Sequence, residues 1–517
     1  MSLLSIFNMI DPVILLVNLM ITLAMYVFKY IKSKCRRDPR MVEFAKTLPG
    51  PRGFPLIGSS MDFYQKGDTL KLMLEYREKY GDMYRLWIGK YLAVGLSNID
   101  DLENVFMNSK MLGKPKIFKP FEDFFGDGLF TTYSIPQWRK NRKLFQPLFN
   151  HSALHNYTSA MNDKINNVVN KMKHLVDGPE FDAWDYLPYL SFDIILKTAM
   201  NVDLNWDDKL ALQYHVAITK ATLICFRKIC LPWLQYKLID NLFYKKQSQA
   251  FRREVVEFLQ KLIRDKKEEI KHQIEAHKNK TDNVEDIPPK TFLTLSYELA
   301  ESEKNEKIMI DELLDILTGG TDTASIMNSF FLLAVAIHQD IQDRLYDELY
   351  EVFGDSDRLA DENDMSRLPY LDQVLKETLR RFPIVPLMFR EAEEDTKLRD
   401  RVIPTGTIII ISVAAVHFNP NYYPEPWKFN PENFSPEAVE KRHKLAFLAF
   451  SAGLRNCVGT HFAMLEMKLT LSTLLRNFRF STKMKMEDIH MDNGFAMTSV
   501  NGYKLNIESR IRKPTYL

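Results

Sequence analysis

The stretch FSAGLRNCVG, Phe450–Gly459, running straight into THFAMLEMKLTLSTLLRNF, Thr460–Phe478, decides how the rest of the chain is read. Apolar residues recur at helical spacing over 459–477, so Cys457 stands just ahead of a predicted helix. The bland account of a single cysteine is a small buried hydrophobe. The spaced set F-x-x-G-x-R-x-C-x-G is harder to dismiss. At average residue frequencies it arises by accident in roughly one chain in ten thousand of this length.

A thiolate ligand to iron must be deprotonated, which favours a place near the positive end of a helix and near backbone N–H groups. Cys457 meets that condition, and Gly453 and Gly459 let the backbone approach closely. A haem also brings two propionates, for which Arg455 is a guanidinium partner. Phe450 can screen the sulfur from water and so tune its potential.

On these residues the chain resembles the cytochrome P450 family of haem-thiolate monooxygenases, over nearly its whole length after the N-terminal apolar segment. Further motifs stand in the family's order. Glu377-Thr-Leu-Arg380 matches E-x-x-R, whose i,i+3 spacing puts carboxylate and guanidinium on one helix face. The role implied is a structural brace behind the haem. Gly319-Gly320-Thr321-Asp322-Thr323 matches the oxygen-activation motif. Two glycines inside a helix cost about 1 kcal/mol each relative to alanine, so a need for space near a ligand, or close packing, is expected. Thr323 can donate back to the Gly319 carbonyl, and the resemblance assigns Asp322 and Thr323 to proton delivery. Trp138 and Arg142 match W-x-x-x-R, and Arg390 follows PIVPLMF where the family places another propionate ligand. The implied propionate set is therefore Arg142, Arg390 and Arg455, with Trp138 beside them.

Four departures stand out. An arginine commonly occupies the position of Asn433, so the triad with Glu377 and Arg380 lacks its third charge. Leu454 replaces a common proline, and Ala324 a second threonine. Within the family the chain is most similar to the branch of fatty-acid ω-hydroxylases and their arthropod relatives. Some members there carry a haem-linked glutamate where Gly319 stands; Gly319 can form no ester, so a non-covalent haem b is implied.

The remaining sequence fits one body. The chain has 517 residues, 46% hydrophobic and 26% charged, the balance of a globular protein rather than a disordered or disulfide-built one. Lys+Arg 69 against Asp+Glu 67 gives +2, no field to draw nucleic acid. Four cysteines (Cys35, Cys225, Cys230, Cys457) make no disulfide framework and fit a reduced, cytosol-facing body. Residues 12–28, PVILLVNLMITLAMYVF, hold no charge and as a helix span about 25 Å, while Lys29, Lys32, Lys34, Arg36, Arg37 and Arg40 follow. By the positive-inside bias this is an N-terminal transmembrane helix with everything after it cytosolic. The expected organisation is a membrane anchor (1–30), a basic, proline-rich connector (31–57) and a single monooxygenase domain (58–517). Helical periodicity covers 161–175, 248–277, 307–352, 366–382 and 459–477. Strand signals cluster at 83–97, 402–413 and 499–507, the last with an Asn501-Gly502 hairpin turn. The fold class is mainly α with a small β region made from distant segments. The polar stretch 278–290 reads as a surface loop.

The resemblance implies oxygen insertion into an apolar substrate, with NADPH electrons arriving through NADPH-cytochrome P450 reductase and cytochrome b5 as a second candidate donor. It also implies an endoplasmic reticulum membrane. Candidate pocket walls are Ile117–Phe130, read as a loop rich in aromatics, with Leu314, Leu317, Ile384–Met388 and Met497–Val500. A membrane-anchored helical scaffold without haem would need the Cys457 match to be coincidence, which leaves two haem-bearing rivals: a reductase-independent isomerase or dehydratase, and a non-catalytic haem protein. The retained Asp322 and Thr323 count against both.

Overall fold

The computed structural model describes residues 12–510 apart from 35, 55, 66–67, 204–208, 280–289 and 493. The apolar residues before Pro12 and nearly all of the expected 278–290 loop lie outside the described residues.

The helices that position the site are α1 Pro12–Lys34, α2 Lys119–Phe125, α3 Ile135–Phe145, α4 Leu187–Met200 and α5 Lys209–Cys230, then α6 Lys245–Asn279, α7 Glu306–Ile337, α8 Gln339–Phe353, α9 Pro369–Arg381 and α10 Thr460–Asn477. α7 is the axis of the molecule. It packs against α4, α9 and α10. Its second half, from Ala324 to Ala336, is buried on every side. By length and composition α7 could cross a membrane, but its burial marks it as a core helix.

The stretch 307–352, expected as one helix, is two. His338 leaves helical geometry (φ −103°, ψ 81°), and both its backbone N–H (3.0 Å) and its ring Nδ1 (2.9 Å) engage the Ala334 carbonyl. This closes the end of α7 before α8 begins. Periodicity could not show the break, because α8 resumes with its own amphipathic face.

The strands β1 Met83–Ile88, β2 Tyr91–Leu96, β3 Phe181–Asp182, β4 Leu387–Glu391, β5 Thr396–Leu398, β6 Arg401–Ile403, β7 Ile408–Ser412, β8 Phe478–Ser481 and β9 Lys504–Ser509 form small sheets. The largest has the order β1-β2-β7-β4. β2 pairs parallel with β7 (Ala93 with Ile408), and β4 pairs antiparallel with β7 (Leu387 with Ser412). Strands some three hundred residues apart in sequence thus share one sheet, as expected of one interwoven body. The Asn501-Gly502 turn is present, with Gly502 at φ +75°, but it closes no hairpin. Ser499 bridges to Met491, while β9 pairs with β3 and β8.

The expected loop 117–130 is largely helical, a 3-10 turn followed by α2. Ile117, Phe121, Phe124 and Phe125 are buried. The aromatic richness noticed in the sequence is the buried face of that helix.

Candidate active site

The Cys457 loop is held by its own backbone. Ser451 and Gly453 adopt positive φ (61° and 68°), and the Cys457 N–H donates to the Phe450 carbonyl at 2.9 Å. A Cβ on Gly453 would collide with the Phe106 carbonyl, so glycine is required there for space as well as for conformation. The Cys457 side chain is exposed on one side and hemmed in by protein on the others. Burial pushes its thiol up, opposed by the Gly459 N–H, the Thr460 hydroxyl and the Arg142 charge. Those three opposing groups all favour a thiolate.

Arg142 reaches this loop directly: Nη1 donates to the Asn456 carbonyl (2.7 Å) and Nη2 to Asn456 Oδ1 (2.8 Å). It braces the cysteine loop from α3, a different bonding from the propionate partner expected of it. Arg455 and Arg390 behave otherwise. Arg455 lies over the Trp138 ring at 4.5 Å, and its Nε and Nη2 are buried with no hydrogen-bond partner. Burial, together with the neighbouring Arg390 charge, lowers Arg455 to about 9, and burial lowers Arg390 to about 10.

A third cation belongs here that the sequence reading missed. Lys114, with its ammonium 3.8 Å from the Phe130 ring centroid, is held well below its usual value by burial and by the Arg455 charge. Three mutually repelling, desolvated cations, two Arg455 donors among them orphaned and only Glu393 and Asp315 acting in opposite charge, call for a further anion. Two carboxylates of a porphyrin, above a thiolate ligand, satisfy that demand. The residues present therefore fit a haem. No sequence motif surrounds Lys114, and only the fold brings it to Arg390 and Arg455.

On the opposite wall, Thr323 Oγ1 donates to the Gly319 carbonyl at 2.8 Å, as its spacing predicts. The two glycines differ. A Cβ on Gly320 would come within 2.8 Å of Ile195 on α4, whereas a Cβ on Gly319 meets nothing within 4 Å. Gly320 is a packing glycine; Gly319 opens space beside Thr323. Asp322 is raised to about 7 by burial, and its Oδ1 is 3.8 Å from His215 Nδ1 on α5.

Earlier along α7, three carboxylates grip the backbone after α2. Asp311 accepts from the Asp127 N–H (3.0 Å), Glu312 from Leu129 (3.0 Å), and Asp315 from Phe130 (2.7 Å) and Thr131 (3.1 Å). Burial raises Glu312 and, to about 7, Asp315. These bonds fix the aromatic wall against the long helix. That wall meets residues just outside the other expected segments, Phe118 lying 4.9 Å from Phe389 and Phe121 5.0 Å from Phe495, while those two segments join each other through the Met497 N–H, which donates to the Ile384 carbonyl (2.8 Å). Leu314 and Leu317 are buried, while Val500, expected as a wall, is exposed to solvent.

Behind the cysteine loop, Glu377 and Arg380 form a fully buried fork, Nε to Oε2 and Nη2 to Oε1 both at 2.8 Å. The surface-pair alternative is thereby excluded. Arg380 also donates to the carbonyls of His417, Pro426 and Lys428. Asn433, lacking the expected charge, still donates Nδ2 to Glu377 at 3.2–3.3 Å. Its own carbonyl accepts from Arg442 at 2.6 Å. A cation thus stands one residue further out than the expected triad has it.

A family model described as Cytochrome P450 matches residues 48–506. The chain is 32% identical to Cytochrome P450 4c21 of Blattella germanica over 503 residues, covering 96% of this chain and 99% of that protein. It is 30% identical to Cytochrome P450 4g15 of Drosophila melanogaster (91% and 93% covered) and 30% to Cytochrome P450 4V2 of Homo sapiens (89% and 89%).

Proposed function

This chain belongs to the cytochrome P450 family, and on that premise we propose a membrane-anchored monooxygenase whose haem is ligated by Cys457 and which oxygenates an apolar substrate. Thiolate-ligated haem supplies oxygen activation and cleavage. The chain's own residues supply the rest. Gly459, Thr460 and Arg142 stabilise the sulfur as thiolate. Lys114, Arg390 and Arg455 receive the propionates, with Trp138 as a platform beneath Arg455 and Phe450 as a screen on the sulfur side. Asp322 and Thr323 hold and pass protons at the Gly319 groove. Phe121, Leu314, Leu317, Phe389 and Phe495 exclude water and orient an apolar molecule.

The orphaned Arg455 donors inside a cluster of three cations carry this reading: Glu393 and Asp315 supply counter-charge nearby, yet neither bonds the buried Nε and Nη2. The test is the reduced CO difference spectrum of the parent protein and of Cys457→Ala. The thiolate-type band is expected in the first and absent in the second; an unchanged band in Cys457→Ala refutes the assignment.

Electrons come from NADPH through NADPH-cytochrome P450 reductase, with cytochrome b5 as a second donor. Exposed Arg139, Lys140 and Lys143 on α3, beside the Arg142–Asn456 contact, offer a basic face to an acidic partner. For the membrane, the support is α1, whose Leu16, Leu19, Met20 and Leu23 are all exposed, and the short helix Lys237–Phe243. Leu238, Leu242 and Phe243 on it are 72%, 68% and 70% exposed, an apolar surface that water disfavours. The reading places α1 across the endoplasmic reticulum membrane, residues 31–57 as connector and 58–517 in the cytosol. Microsomal fractionation after alkaline carbonate wash tests it: retention in the pellet is expected, and loss on deleting 1–30 follows only if Leu238, Leu242 and Phe243 anchor weakly by themselves.

A further inference from the structure

Asp322 has a partner on another helix. His215 is on α5, and its Nδ1 stands 3.8 Å from Asp322 Oδ1, the two side chains 19% and 18% exposed. Gln213 and Val216, its neighbours in sequence, are exposed, so the outer side of α5 here meets solvent while His215 turns toward α7. The Trp184 ring flanks it at 6.5 Å and is in turn stacked on Tyr503 at 5.8 Å. The other polar groups beside the pair are the buried hydroxyls of Tyr214 and Thr318, and Asp315 further along α7.

We propose that His215 is the entry point for protons to the oxygen-activation site, passing them from solvent to Asp322 and so to Thr323. This rests on the monooxygenase reading above. In each transfer the Nδ1–H proton of the imidazolium moves to Asp322 Oδ1, and the neutral ring regains a proton from water. At 3.8 Å the pair is too long for a direct hydrogen bond, so a small side-chain rotation or a single water completes it. Burial raises Asp322 and lowers His215, which brings an acid and a base of ordinarily different strength toward one another near neutrality. Burial is the sole cause of both shifts. A histidine serving only to pack against Trp184 would need no carboxylate facing its Nδ1.

Two variants separate relay from packing: His215→Gln keeps polarity without titrating, and His215→Phe keeps the ring against Trp184. With parent reductase and a substrate that gives a spin shift, both are expected to release hydrogen peroxide in place of product. Product formed per NADPH consumed should fall about tenfold, and the solvent deuterium isotope effect on turnover should change, with the ferrous–CO band and spin shift intact. Independently of turnover, the protonated-carboxyl infrared band that Asp322→Asn removes should titrate ~0.5–1 pH unit higher in His215→Gln. Coupling and infrared midpoint both matching the parent in either variant overturn the proposal. A parent that shows no ferrous–CO band refutes the monooxygenase reading itself, a distinguishable failure.

Discussion

Replacing Arg380 by Met tests the brace behind the cysteine loop most directly. The substitution strands a fully buried Glu377 carboxylate and removes donors from the carbonyls of His417, Pro426 and Lys428. Breaking a buried pair on one side costs about 3–5 kcal/mol. Each carbonyl left unsatisfied adds about 1 kcal/mol. Part of this is recovered by protonating Glu377 and by the Asn430 N–H and Asn433 amide that still reach it, so about 5 kcal/mol of destabilisation is expected. The double change Glu377→Leu/Arg380→Met removes the stranded charge and should cost less, about 3 kcal/mol. Asn433→Ala, which loses only two long bonds to Glu377, should cost about 1 kcal/mol. Urea unfolding followed by tryptophan fluorescence, with the ferrous–CO band as a parallel readout, measures all three. If Arg380→Met falls within 1 kcal/mol of the parent, or the double variant is less stable than the single, the buried pair is not the brace described.

Gly319→Ala should stabilise α7 by ~0.5–1 kcal/mol because its Cβ meets open space, yet lower turnover by narrowing the groove beside Thr323; Gly320→Ala should instead destabilise through Ile195. Thermal unfolding together with turnover of both variants checks the contrast. Acid–acetone extraction should remove the haem completely, since Gly319 offers no carboxylate for an ester link; pigment left on the protein contradicts this. Stability should also fall on both sides of a mildly acidic plateau, where the titrations of two buried groups offset each other. His417 is buried, accepts from the Leu448 N–H, and is lowered to about 3, so its contribution is lost as pH falls through 6.5 toward 3, by about 5 kcal/mol at most. Glu466 is raised to about 8 by burial, so its contribution is lost as pH rises from 4.5 toward 8. Urea midpoints across pH should lose the alkaline fall in Glu466→Gln and keep the acid one.

Much of the site was legible because its chemistry is local. The Phe450–Gly459 loop, the i,i+3 pair Glu377–Arg380 and the i,i+4 back-bond from Thr323 to Gly319 each span a few residues, and helix geometry alone places their groups. The helices themselves, and the strands near 83–97 and 402–413, follow from periodicity that burial imposes on any sequence. The rest depends on contacts across hundreds of residues. Lys114 joins Arg390 and Arg455, His215 faces Asp322, and Asp311, Glu312 and Asp315 hold residues 127–131, all between segments whose spacing in sequence carries no signal. Arg142 turned to Asn456, and the long stretch 307–352 broke at His338, for the same reason. Which polar group a buried charge meets is settled by which helices pack together, and only the folded chain decides that.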